Sequence, residues 1–81
     1  MTYSENDKKL LRKMREEGPA AAIEEMLVDP DEFEDTDLRE AAGRIDDEYR
    51  SYIDEIYDDI VLFDDAIEKI DEAIELIEER Q

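Results

Sequence analysis

The sequence predicts an all-α fold in which two short N-terminal helices pack on one long acidic C-terminal helix carrying a heptad seam. Three observations point there. From Leu38 onward apolar residues recur at steps of three and four, the period of one helix face. The chain has only two Gly and two Pro, and apart from Gly43 they fall before that stretch. Charged residues make up 47% and hydrophobic ones 41%, so patterned apolar positions can bury together while the charges stay wet. The 81 residues form one domain, 1–81, with no Cys and therefore no disulfide to staple a small core.

Ser4, followed three residues later by Asp7, resembles a helix start, and Gly18-Pro19 combines a stop with a residue suited to a new first turn. Helix 1 is therefore expected at Glu5 to Glu17. Its apolar set is Tyr3, Leu10, Leu11 and Met14, and it holds Lys8, Lys9, Arg12, Lys13 and Arg15, half of the ten cations. Helix 2 is expected at Pro19 to Val28, with Ile23, Met26 and Leu27 on one face and Ala20 to Ala22 favouring helix. Residues 29–36 form a connector containing Pro30, with Thr36 as N-cap of the next helix.

The last helix is expected as one piece, Asp37 to Glu79. Leu38, Ala42, Ile45, Tyr49, Tyr52, Ile56, Ile60, Phe63, Ile67, Ile70, Ile74 and Ile77 alternate three- and four-residue steps, with one extra four-residue step from Ile56 to Ile60. A competing reading takes Asp65 and Glu68 as a capping box and breaks the helix near Asp64, giving a small antiparallel bundle. Ile53, Tyr57 and Val61 form a second apolar stripe that helices 1 and 2 would cover. The seam Ile45, Tyr49, Tyr52, Ile56, Ile60, Phe63, Ile67, Ile70 and Ile74 would then be free to join two copies of the chain. The other arrangement is a monomeric bundle with both stripes internal.

The charge is lopsided. Asp and Glu number 28 against ten Lys and Arg, a net −18, and helix 1 alone is slightly positive. Opposite the seam every outward position is acidic: Asp47, Asp54, Asp65, Glu72 and Glu79, with Asp58 at the extra step and Glu55 and Asp59 beside the row. Between Asp46 and Glu79 there are 15 acids against Arg50 and Lys69. That is about one net charge per 4 Å of helix, compared with roughly 3.4 Å along one DNA strand. Interspersed Glu–Lys pairs are the ordinary way to make a soluble helix stable, and this face forgoes them.

Other chemistries lack their residues. With no His and no Cys, the usual general base, thiol nucleophile and nitrogen or sulfur metal ligands are missing, so the expectation is a non-enzyme without metal or cofactor. Asp29, Asp31, Glu34, Asp35 and Asp37 fail the EF-hand pattern, because Phe33 takes the third ligand position and no glycine follows. Direct nucleic-acid binding is opposed by the overall field, and no apolar run reaches membrane-span length. With no basic region followed by an apolar run at its start, the chain is expected in the cytoplasm.

In size, acidity, helical character and charge pattern the chain resembles the small DNA-mimic proteins of phages and mobile elements. The resemblance implies an inhibitor whose partner is a basic, nucleic-acid-binding complex of the host cytoplasm, such as a restriction enzyme or a CRISPR effector. Carboxylates on Asp47, Asp54, Asp58, Asp65 and Glu72 would then stand where phosphates stand. Two other readings stay open: a coiled-coil dimerisation or adaptor protein whose acidity only maintains solubility, and adaptation to high salt.

Overall fold

The structure, a computed structural model, describes residues 3–49 and 51–80, and these are all helix, turn and connector. Helix α1 spans Glu5–Glu17. The Ser4 hydroxyl caps it by accepting from the Asp7 N–H at 3.0 Å, and Gly18, at φ 84°, ends it. Pro19 opens α2, Pro19–Glu24, which stops four residues short of the expected Val28. The stop is a Schellman motif: Leu27 N–H reaches the Ala22 carbonyl at 2.9 Å and Met26 N–H reaches that of Ile23 at 3.0 Å. The motif needs a left-handed residue, and Met26 supplies it at φ 61°, where glycine is the usual occupant. Met26 is also 86% exposed, so Met26→Gly should raise stability by about 1 kcal/mol in urea unfolding, by relieving the left-handed strain.

A single 3-10 turn, Pro30–Glu32, lies in the connector, with the Asp29 side chain accepting from Asp31 N–H at 3.0 Å. Helix α3 spans Thr36–Glu48. Its N-cap is Asp35 and not Thr36, the carboxylate accepting from Leu38 N–H at 3.1 Å. Helix α4 spans Tyr57–Glu79.

The expected continuous helix from Asp37 to Glu79 is therefore two helices. The break also lies elsewhere than the competing reading put it, since Asp64 sits inside α4. Two physical causes favour the interruption. An unbroken helix over those 43 residues would run about 65 Å, far beyond what α1 and α2 could cover, so much of the seam would stay in water. Folding it in two lets α3 and α4 pack on each other and on the N-terminal helices. The position is set locally: Asp46, Asp47 and Glu48 crowd the C-terminal turn of α3, where the helix dipole disfavours negative charge. The following Tyr49, Tyr52, Ile53 and Ile56 are β-branched or aromatic residues that lose side-chain freedom in a helix.

The core gathers Leu10, Leu11 and Met14 of α1, Ala22 and Ile23 of α2, Val28, Phe33, Leu38, Ala42 and Ile45 of α3, Ile56, and Phe63, Ala66, Ile67 and Ile70 of α4. At its centre the Phe33 and Phe63 rings meet with centroids 5.6 Å apart. The residues assigned to a seam between copies thus point into the chain's own core. Ile45, Ile56, Phe63, Ile67 and Ile70 are buried, Tyr49, Ile60 and Ile74 pack partly buried against them, and Tyr52 is exposed. Nor do α1 and α2 cover the whole second stripe, because Ile53 and Tyr57 face solvent.

The connector is pinned by polar contacts rather than by helix packing. Asp7 of α1 is 1% exposed, and its two carboxylate oxygens accept from the N–H groups of Glu34 at 2.6 Å and Asp35 at 2.9 Å. Asn6 donates to the Glu32 carbonyl at 2.6 Å, and Arg39 of α3 donates to that of Phe33 at 3.0 Å. Phe33 is thereby held at the centre of the core from both sides.

Candidate acidic interface

Helix α4 carries ten acids and one cation, Lys69, over about 34 Å. Asp58, Asp65, Glu72 and Glu79 lie seven residues apart and are all exposed. Seven residues are almost two turns, about 10.5 Å of rise, and the row drifts only about 20° per step, so the four stay on one face. Asp64, Glu68, Glu75 and Glu78 are exposed beside them.

The structure does not bring all eight predicted contact acids together. Asp58, Asp65, Glu72 and Glu79 share α4, Asp54 and Glu55 stand exposed in the segment between α3 and α4, and Asp47 is exposed near the end of α3. The single row along one rod thus becomes a four-residue row with separate acids beyond its N-terminus. Asp59 leaves the set. Its side chain is 18% exposed and lies 3.4 Å from Arg44, an ion pair that bridges α3 to α4. One of its oxygens is buried and makes no hydrogen bond, because that approach is close without being aligned.

Among the described residues, most acids of the face have no ion-pair partner. Among the described residues the ion pairs are Lys8–Glu5 at 3.5 Å, Arg15–Asp71, Arg44–Glu48 at 3.5 Å and Arg44–Asp59. Arg15–Asp71 ties α1 to α4, the bracing role that suits the cations of α1. None of the pairs involves Asp47, Asp54, Glu55, Asp58, Asp65, Glu72 or Glu79. Tyr3 has its hydroxyl pKa raised by burial and then by the negative charges of Asp35, Asp37 and Asp7, none of them on the α4 face.

Geometry narrows what the face can do. Among the described residues no group of three or more His, Cys, Asp or Glu could hold a metal ion, so the carboxylates are spread out in lines and not gathered in a cage. No helix among the described residues is long and apolar enough to cross a membrane. A line of exposed carboxylates at low local cation density presents repeated negative charge to a partner.

Comparison of the chain with protein-family models, curated proteins and solved structures finds no match.

One feature of the surface escaped the periodicity. Tyr52, Ile53 and Tyr57, assigned by spacing to seam or second stripe, are left in water by the break. The signal was present in the local composition, an aromatic and β-branched run between acids, but only the position of the break decides which way it faces.

Proposed function

We propose that the protein is a DNA-mimic inhibitor that occupies the basic groove of a nucleic-acid-handling complex. The observation that carries this reading is the exposed α4 row Asp58, Asp65, Glu72 and Glu79, with no ion-pair partner among the described residues. Magnitude supports it. The molecule measures 46 × 22 × 21 Å, and 46 Å of duplex carries about 27 phosphate charges at roughly one per 1.7 Å, against a net −18 here. Carboxylates pair with the Arg and Lys side chains that otherwise hold phosphates, and opposite fields speed the encounter. The adaptor reading is weakened, because its dimer seam, Tyr52 apart, is taken up by the chain's own core.

The test is the triple reversal Asp58→Lys, Asp65→Lys and Glu72→Lys. The native chain is expected to capture basic nucleic-acid-binding proteins from a host lysate at low salt and release them at high salt. The reversed chain, with unchanged helicity by circular dichroism, is expected to capture none of them. Equal capture by both chains would rule the mechanism out.

A further inference from the structure

The segment joining α3 to α4 exposes more apolar surface than a connector requires. Among its described large side chains only Ile56 is buried in the core, while Tyr52, Ile53 and, at the start of α4, Tyr57 stand 59%, 53% and 64% exposed. Isolated exposed apolar residues are commonplace, but three within six positions of the chain are a concentration of exposed apolar side chains that a contact surface would use. The segment is not slack. Ser51 and Tyr52 N–H groups donate to the Glu48 carbonyl at 3.0 and 2.9 Å, Glu55 N–H to Tyr52 at 3.0 Å, and Asp59 N–H to Ile56 at 3.0 Å. Successive closed turns therefore present the two tyrosines.

What would cover these side chains is defined by their neighbours. Asp54, Glu55 and Asp58 alternate with the apolar residues, are exposed, and pair with no described cation. Exposed tyrosines with exposed carboxylates one to three residues along the chain suit one side chain above others. A guanidinium is planar, so it can stack on the ring face while its fork of N–H groups engages the carboxylate. A lysine ammonium meets the carboxylate as a compact, strongly hydrated point charge and gains less from the ring. Ile53 adds apolar surface for the arginine stem.

We infer that residues 52–58 form an arginine-reading contact, which docks an arginine-rich segment of the protein partner. The inference rests on the proposed reading in taking the partner to be cationic, and adds which cation is read and where.

Nona-arginine and nona-lysine peptides, titrated onto the full chain at physiological salt and followed by calorimetry and amide chemical shifts, provide the test. The arginine peptide is expected to bind at least about tenfold tighter, with the largest shifts over residues 52–58. In the Tyr52→Leu, Tyr57→Leu double variant, which keeps the apolar bulk and changes only exposed positions, the two peptides should come within about twofold of each other. The single variants, read separately, serve if the double variant loses helicity. Equal affinities for the native chain, or an arginine preference that survives loss of both tyrosines, would overturn the inference. The two readings fail separately. If the α4 triple reversal abolishes target capture while the native chain shows no arginine preference, only this inference falls. If the preference stands and the reversal leaves capture intact, the DNA-mimic reading falls instead.

Discussion

Replacing Asp7 with Ala is expected to cost about 2–5 kcal/mol, a large share of the stability of a chain of this size. The carboxylate is 1% exposed and is the acceptor for two backbone N–H groups, those of Glu34 and Asp35. Removing it strands two donors in a partly buried site, and each stranded donor costs up to about 1–3 kcal/mol. A domain of 81 residues has about 4–12 kcal/mol in total. Asp7→Asn should fall between, because the amide oxygen can keep one of the two bonds while its NH2 confronts the other donor. Urea unfolding followed by far-ultraviolet circular dichroism reads all three chains. A loss below about 0.5 kcal/mol in Asp7→Ala would show that the connector is held by something else.

Phe33→Ala is the second large effect, with an expected loss of about 3–5 kcal/mol. Phe33 is fully buried although it lies outside every helix, and its ring meets Phe63 of α4 at 5.6 Å. Its truncation opens a cavity at the centre of the core and removes the anchor that keeps the connector across the helices. Phe33→Leu, which keeps most of the volume, should lose less than half as much in the same measurement. Equal losses for the two variants would mean that the site collapses around either side chain.

Elements with local signals were legible from the residues alone. Ser4 and Gly18-Pro19 are chemical punctuation, and α1 starts and ends where they stand. The heptad spacing rightly grouped Ile45, Ile56, Phe63, Ile67 and Ile70, and these are buried together. Spacing says that residues share a face. It does not say whether that face meets a second chain or the chain's own helices, so the seam read as one straight stripe became two helices that pack on each other. The extra step from Ile56 to Ile60 lies just past the break, in the first turn of α4, and the spacing across the break itself stays regular. Asp7 was missed for a different reason. It precedes Leu10, Leu11 and Met14 by three, four and seven residues and so lies on their buried stripe, yet an acid near a helix start reads as a partner for the dipole. An acid on an apolar stripe is a buried acceptor awaiting donors, and those donors lie 27 and 28 residues away.

The same logic divides the acidic residues. Periodicity put Asp58, Asp65, Glu72 and Glu79 on one outward face, and they occupy one face of α4. It could not foresee that Asp59 would meet Arg44 of α3, because that pairing exists only once the chain has folded back.

Mutually exclusive binding is the most direct test of the account. A captured nucleic-acid-binding complex, a labelled DNA duplex and this protein are mixed at equilibrium and weighed by native mass spectrometry across a salt series. The complex is expected to hold either the duplex or the protein, never both, and both affinities should fall steeply with salt. A ternary species containing the complex, the duplex and this protein together would contradict it.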